Sequence, residues 1–253
     1  MKNKIGWCNL TWNPVWGCQN NCPYCYARAI AKRFGSIRFT EEWKYRTEHN
    51  MEYADVYFKL KKSLDLVNFK PSFLYSQFNK KFPKKPQRIF VGSMSEIYHW
   101  EQEWIERVIE KVKQYPQHIF IFLTKHPEVY APWVWPKNCW LGVTITDNKY
   151  YSSEYQNFKI SNPDNLKFVC FEPLLESRYP ISINLEGIDW IILGAESGNR
   201  KGKVLPGLDP ILAIFRYCQK NKIPIYVKDN LGRPDVPFDF CRGYKQFPTI
   251  NKL

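Results

Sequence analysis

The chain has 253 residues, of which 44% are hydrophobic and 17% aromatic, so it can bury a sizeable core and is not intrinsically disordered. Its formal net charge of +13 predicts a polyanionic partner, nucleic acid ahead of a membrane surface, unless the protein is simply a basic soluble one. No apolar run approaches ~18 residues and the N-terminus lacks the apolar core of a signal peptide. These features predict a cytoplasmic protein without a membrane span.

Three of the eight cysteines lie close together in the sequence. We call residues 17–26 the cysteine loop; in it, three residues separate Cys18 from Cys22 and two separate Cys22 from Cys25. Three thiolates at this spacing can all bind one iron–sulfur cube, and they leave one of its irons without a protein ligand. Zinc is the alternative, but a structural zinc ion takes four ligands, usually from two cysteine pairs, and the sequence holds no second pair of this kind.

The elements around the cysteine loop are predicted from local sequence. Residues 5–13 mix apolar and aromatic side chains and end before Pro14, which indicates a first strand. Residues 25–34 are rich in helix formers and are followed by Gly35, which predicts a helix that ends there. The third cysteine therefore lies at a helix start, where backbone amides and the helix dipole favour a thiolate and an anionic cluster.

Residues 36–87 differ in composition from the rest of the chain, because aromatic side chains alternate with lysine and arginine. Residues 27–88 hold 15 basic and 6 acidic residues. Basic and aromatic side chains together suit contact with phosphates and stacking on bases. The alternative is an ordinary helical insertion whose aromatic residues are core and whose lysines are surface. Residues 79–86, rich in lysine and proline, are predicted to be a solvated loop.

From residue 88 onward, short apolar runs alternate with helical or polar stretches. Such runs indicate a parallel sheet that is buried on both faces, and with the first strand they number seven. The predicted fold is α/β, a partial or full β/α barrel of one domain over residues 1–253, with 36–87 as an insertion or lid. An open doubly wound sheet is the alternative. The predicted strands lie at 89–91, 118–123, 140–145, 168–171, 190–193 and 223–227, with helices at 101–115 and 208–221.

Polar residues follow the predicted strands at their carboxyl ends, where ligands bind in both kinds of α/β fold. The cysteine loop follows the first strand and is expected at the same edge. The other polar residues that follow strands are Ser93, Glu96, Thr124, Lys125, Thr144, Asp147, Glu172, Glu196, Lys228 and Asn230.

The cysteine spacing, with aromatic Tyr24 before the last cysteine, resembles the signature of the radical S-adenosylmethionine (SAM) superfamily. More narrowly, the chain resembles a phage-associated branch of that superfamily whose substrate is unknown. The matching pieces run almost from end to end: residues 11–15, 21–27, 88–96, 122–125, 140–143, 171–175 and 192–198.

This resemblance implies a [4Fe–4S] cluster on Cys18, Cys22 and Cys25, with SAM bound to the fourth iron. With one electron from an external donor, the cluster would cleave SAM to a 5′-deoxyadenosyl radical, which abstracts hydrogen from the substrate. The superfamily's Gly-Gly-Glu-like segment, which meets the amino group of SAM, is replaced here by residues 92–95. The implied SAM contacts are Ser93, Met94 and Ser95 for the amino group, Thr144 and Asp147 for ribose, Tyr24 near adenine, and Thr124.

Three further strand-end residues, Glu172, Glu196 and Lys228, are candidates for catalysis. Carboxylates at such a position need partners, so the two glutamates could bind the cofactor, position substrate, or pair with Lys125 and Lys228. Structural ion pairs are the alternative to a catalytic role. The polar segment 195–203 could contact phosphate or carboxylate, or carry solvated lysines.

The remaining cysteines and histidines give weaker signals. Cys139, Cys170 and Cys218 lie in apolar settings and are predicted core thiols, whereas Cys241 lies in a polar segment. The histidines at 118 and 126 are predicted to be structural, and His99, beside Trp100 before a helix, gives no signal of its own.

The function predicted for the whole chain is that of a radical SAM enzyme with a nucleic acid or nucleotide substrate. A peptide or protein substrate is the first alternative. A non-catalytic nucleic-acid-binding protein with a zinc ion or a structural cluster is the second.

Overall fold

The computed structural model describes residues 5–51, 56–146, 153–175, 184–197, 200–232 and 242–249. In this part of the chain, no helix combines the length and the apolarity that a membrane crossing requires. The helices are α1 Tyr26–Glu48, α2 Val56–Val67, α3 Tyr75–Phe78, α4 Gln102–Lys113, α5 Ser153–Ile160 and α6 Leu208–Asn221. The strands are β1 Leu10–Trp12, β2 Val15–Trp16, β3 Ser72–Phe73, β4 Arg88–Val91, β5 Ile119–Thr124, β6 Cys139–Thr144, β7 Lys167–Phe171, β8 Trp190–Leu193 and β9 Ile225–Val227.

Seven strands form the main sheet, in the order β1-β4-β5-β6-β7-β8-β9. The pairs β1–β4, β6–β7, β7–β8 and β8–β9 are parallel, while β2 and β3 form a separate antiparallel pair. The predicted α/β class and the predicted parallel sheet of seven strands are therefore confirmed. The first strand is shorter than expected, since β1 covers three residues and β2 lies between it and the cysteine loop.

Residue contacts divide the chain into two compact units. The first unit contains residues 1–3 and 8–120, which include β1 to β4, α1 to α4 and the cysteine loop. The second unit contains residues 4–7 and 121–253, which include β6 to β9, α5 and α6.

The strands of the second unit are buried except at Thr144, the last residue of β6, as their continuous apolar sequences predict. Every residue of β7 and of β8 is buried. Trp190 of β8 packs against the rings of Trp7, Trp140 and Phe168, with ring centroids 5.4 to 6.3 Å apart. The predicted core thiols Cys139, Cys170 and Cys218 are buried, whereas Cys241 lies outside the described residues.

The prediction that the first helix ends at Gly35 is wrong, because α1 continues to Glu48. Gly35 is buried, and a Cβ at this position would lie 3.0 Å from the backbone oxygen of Leu66 and 3.0 Å from the Cα of Val67. The glycine therefore allows α1 to pack closely against α2. It is a packing residue rather than a helix stop, and sequence alone does not separate these two uses.

A buried carboxylate joins α1 to the start of α3. Glu42 accepts hydrogen bonds from the backbone N–H groups of Tyr75 and Ser76, at 3.0 and 2.8 Å, and from Arg46 Nε at 2.7 Å. The first N–H groups of a helix have no partner within the helix. For α3, the carboxylate of Glu42 is the acceptor for two of these N–H groups.

The aromatic residues of segment 69–82 are buried or half-buried, and none of them is exposed. Phe69 and Phe73 are buried, and the ring of Phe82 contacts those of Tyr115 and Phe120, with centroids 4.9 and 5.4 Å apart. In the predicted solvated loop, the lysines are exposed, as expected. For this segment, the structure matches the alternative of core aromatics with surface lysines. The exposed lysines are Lys80, Lys81, Lys84 and Lys85.

Lys111 of α4 differs from these exposed lysines, because it is buried. Its ammonium group lies 4.8 Å from the ring centre of Phe78 and 5.4 Å from that of Phe82. It donates hydrogen bonds to the backbone oxygens of Phe78 and Lys80. Burial lowers the pKa of Lys111 to about 8, so the charged form is held by ring faces and carbonyl groups in place of water.

Candidate functional site

The backbone of the cysteine loop is held at its start by two neighbouring segments. Gly17 has a φ of +114°, which favours glycine, and its N–H donates to the backbone oxygen of Met94 at 2.9 Å. The N–H of Cys18 donates to the backbone oxygen of Phe69, also at 2.9 Å. The loop is thereby fixed to the segment that follows β4 and to the residues that follow α2.

The three cysteines of the loop are free and half-buried. As predicted, the third lies at a helix start: Cys25 is the N-cap of α1, and its Sγ accepts the N–H of Arg28 at 3.4 Å. The Sγ of Cys18 accepts the N–H of Asn20 at 3.4 Å, and the Sγ of Cys22 donates to the backbone oxygen of Asn20 at 3.9 Å. Asn20 therefore contacts both of the other sulfur atoms.

The charges around the cysteine loop are of both signs. Burial raises the pKa of Cys18 to about 11, and the charges of Glu96, Cys25 and Cys22 add to this shift, while the N–H of Asn20 opposes it. The guanidinium of Arg28 donates to the backbone oxygen of Cys18 at 3.2 Å. Cys18 is therefore a neutral thiol near pH 7, and a metal that binds it must displace its proton.

The donor set of the loop suits an iron–sulfur cluster in kind and number. Three thiols lie on one short loop at a helix start, and the Cys22 and Cys25 charges are close enough to act on Cys18. Among the described residues, however, no three His, Cys, Asp or Glu side chains already surround a common metal position. Cluster binding would therefore require the half-buried sulfur atoms to turn toward one centre.

The predicted SAM-binding residues that follow β4 lie beside the cysteine loop. The side-chain oxygen of Asn13 accepts hydrogen bonds from Ser93 Oγ at 3.1 Å and from the N–H of Met94 at 3.0 Å. The hydroxyl of Tyr26 donates to the backbone oxygen of Ser93 at 2.8 Å. Gly17 also forms a parallel bridge with Ser95, whose hydroxyl accepts the indole N–H of Trp100 at 3.1 Å.

The sequence did not mark His99, or Asn20 of the loop, as a site residue, yet their side chains contact each other. His99 Nε2 lies 2.8 Å from Asn20 Oδ1, and Asn20 Nδ2 donates to Glu96 Oε2 at 3.4 Å. Because the amide nitrogen of Asn20 faces Glu96, its oxygen faces His99 and requires a proton on His99 Nε2. The sequence assigned no role to His99, and its partner, Asn20, lies inside the cysteine motif.

In the second unit, two of the predicted catalytic residues meet where β7 and β9 end. Lys228 forms an ion pair with Glu172, which is one of the predicted alternatives. Ser197 Oγ donates to Glu172 Oε1 at 3.1 Å, and Asn230 Nδ2 lies 3.3 Å from Ser197 Oγ. A Cβ at Gly194 would lie 3.0 Å from Lys228 Cδ, so the cluster packs closely against this glycine.

Glu196, the third predicted catalytic residue, is in a separate ion pair within the second unit. It is 1% exposed and accepts two hydrogen bonds from Arg200, at 2.7 and 2.8 Å, in the bidentate geometry that favours this pair. The bonds to Arg200 are the largest of the effects that lower the pKa of Glu196. Glu196 also accepts the N–H of Val204 at 3.4 Å, and its contacts are those of a structural ion pair.

The other predicted site residues have the following positions. Tyr24 is half-buried in the first unit. In the second unit, Thr124 is buried and its Oγ1 accepts the N–H of His126 at 3.0 Å, and half-buried Thr144 ends β6. Asp147 lies outside the described residues. His118 is structural as predicted, since its Nδ1 accepts the N–H of Gln87 at 3.1 Å.

Comparison with known proteins gives one match. A family model described as "Protein of unknown function (DUF5131)" matches residues 2–234, most of the chain. No curated protein and no solved structure matches the chain. The chain therefore belongs to the DUF5131 family.

Proposed function

We propose that this protein is a radical SAM enzyme whose cysteine loop holds a [4Fe–4S] cluster. One observation carries the proposal: three free, half-buried cysteines lie on one loop that ends as the N-cap of α1. When bound, such a cluster supplies one electron for reductive cleavage of SAM, which yields methionine and, after hydrogen transfer from the substrate, 5′-deoxyadenosine.

The residues around the loop suit an anionic cluster. The N–H of Arg28 already donates to the sulfur of Cys25 at the positive end of the α1 dipole. The guanidinium of Arg28 donates a hydrogen bond to the backbone oxygen of Cys18, and it lies 5.4 Å from the ring centre of Phe69. Both groups of Arg28 place positive charge next to the loop, which would stabilise an anionic cluster there.

The segment after β4 would bind the amino group of SAM with oxygen atoms. The backbone oxygen of Ser93 accepts one hydrogen bond, from Tyr26, and the hydroxyl of Ser95 accepts one, from Trp100. A carbonyl oxygen has two lone pairs, so a cofactor ammonium could share these acceptors with their present donors.

The first test is cluster loading and SAM cleavage by the unaltered chain. After anaerobic purification and reconstitution with iron and sulfide, we expect about four irons per chain and a brown protein that absorbs near ~400 nm. With dithionite as reductant and SAM present, it should form 5′-deoxyadenosine, and samples without dithionite should not. A colourless protein that retains one zinc ion would instead support the non-catalytic nucleic-acid-binding alternative.

We further propose nucleic acid as the substrate class, on the basis of an exposed basic surface in the first unit. The lysines of the loop 80–85 are exposed, and partial desolvation and, second to it, the nearby positive charge of Arg38 lower the pKa of Lys80. On α1, Phe34 is exposed with the guanidinium of Arg33 5.7 Å from its ring centre. Exposed positive charge and an exposed aromatic ring in one unit favour a polyanion with bases that stack.

The double variant Lys84→Gln/Lys85→Gln should weaken binding of mixed-sequence single-stranded DNA and RNA. If each lysine contacts one phosphate, the slope of log affinity against log salt should become shallower by about 1.4. Fluorescence anisotropy over a salt series measures this slope. The matched control, Lys220→Gln/Lys222→Gln, removes the same charge from exposed positions of the second unit. Equal slopes in both variants, or salt-independent binding by the unaltered chain, would favour a peptide or protein substrate.

A further inference from the structure

Asn20 makes more contacts with the cysteine loop and its surroundings than its position in the motif suggests. Its backbone N–H donates to Cys18 Sγ, and its backbone oxygen accepts from Cys22 Sγ. Its side chain bridges His99 and Glu96, at 2.8 and 3.4 Å. A single residue thus connects two sulfur atoms to the segment that follows β4.

The two anchors are themselves fixed in the first unit. Glu96 is 6% exposed and directly follows Ser95, which forms a bridge with Gly17. The N–H of His99 donates to the backbone oxygen of Glu96 at 3.0 Å, so one short turn carries both anchors. The side chain of Asn20 can therefore set the position of its own peptide groups, which contact the sulfur atoms.

We infer that Asn20 is a positioning residue, which His99 and Glu96 hold so that the Cys18 and Cys22 sulfur atoms both stay against Asn20, from where they can turn to bind one metal group. This inference rests on the proposed function only for the identity of the metal group. The contacts of Asn20 with the two sulfur atoms do not depend on which metal group binds. Cys25 is held independently by the N–H of Arg28, and it therefore serves as an internal reference.

The chemistry of the bridge explains why an amide is needed at position 20. The amide accepts at one atom, facing His99, and donates at the other, facing Glu96. An aspartate of the same shape would place a second carboxylate against Glu96, and like charges at this distance repel. Asn20→Asp should therefore disrupt the bridge as strongly as Asn20→Ala, although it preserves the size of the side chain.

The experiment measures thiol reactivity in the metal-free protein and iron loading in the reconstituted protein. Alkylation by iodoacetamide is followed at each cysteine by peptide mass spectrometry. In Asn20→Ala and Asn20→Asp, we expect the alkylation rates of Cys18 and Cys22 to change several-fold, because both sulfur atoms lose their contacts with Asn20, and the rate of Cys25 to stay unchanged. Apparent iron affinity in the presence of sulfide should fall about 10–100-fold, as is typical when a partner of metal ligands is removed. Gln19→Ala, at an exposed position of the same loop, is the control and should match the unaltered chain.

Two variants of the anchor separate positioning from general loss of structure. His99→Gln retains an N–H donor for Asn20 Oδ1 and should preserve most of the iron affinity. In His99→Ala, the iron affinity should fall by the same factor as in Asn20→Ala. Equal loss in His99→Gln and His99→Ala would overturn the inference, as would unchanged alkylation of Cys18 and Cys22 in the Asn20 variants. If the alkylation pattern changes as expected but the unaltered chain binds no iron–sulfur cluster, the positioning role stands and the proposed function fails.

Discussion

Cys22→Ala is expected to abolish cluster loading and 5′-deoxyadenosine formation while the protein stays folded. An iron–sulfur cube held by three thiolates keeps two protein ligands after this change, too few to hold it against exchange with solvent. The fold should tolerate the substitution because Cys22 is half-buried and its sulfur makes one long contact, with the Asn20 backbone. Iron and sulfide per chain, absorption near ~400 nm and 5′-deoxyadenosine formation are the measurements.

Cys218→Ala is the matched control for this prediction. Cys218 is a free thiol in α6, buried at 1% exposure, with its pKa raised to about 12 by burial. Its removal should cost some stability, about 1 kcal/mol for a small buried group, and leave cluster loading intact. If Cys22→Ala forms 5′-deoxyadenosine at the unaltered rate, the cysteine loop does not hold the catalytic group and the proposed function is wrong.

Element type could be predicted well where a single local pattern decides it. The buried strands follow from continuous apolar runs, and α6 begins and ends at the predicted residues 208 and 221. Gly35 shows the limit of such patterns. A glycine ends a helix through its backbone freedom, but it also allows close helix packing through its missing side chain. The partner that decides between these uses is α2, which local sequence does not bring into view.

The candidate site, too, could be predicted only where a local sequence pattern marks its residues. The cysteine spacing located the loop, and the strand-end rule located both Ser93 and the pair of Glu172 with Lys228. The bridge from Asn20 to His99 could not be predicted, because the two residues lie 79 positions apart and no local sequence pattern connects them. Its only local signal was an amide side chain inside the cysteine motif.

Gly17→Ala is the second substitution with a large expected effect, on both stability and cluster loading. Gly17 adopts a φ of +114°, and an added Cβ would overlap the backbone carbonyl of Lys70 and lie 2.7 Å from the nitrogen of Pro71. Backbone strain of this kind costs about 1–3 kcal/mol for a non-glycine residue, and the overlap must in addition push the two segments apart. We expect a loss of about 3 kcal/mol or more in the free energy of unfolding, measured by urea denaturation.

Gly202→Ala separates the two contributions, because Gly202 also has a positive φ, +73°, but a Cβ there meets no atom within 4 Å. This control should lose only the conformational part, about 1 kcal/mol. The excess loss in Gly17→Ala then measures how tightly the start of the cysteine loop is packed on the residues that follow α2. That packing holds the hydrogen bonds from Gly17 to Met94 and from Cys18 to Phe69, so cluster loading should fall together with stability. Equal losses in the two variants, with normal cluster loading in Gly17→Ala, would mean that the loop can shift away from Lys70 and that its fixed position is not required for metal binding.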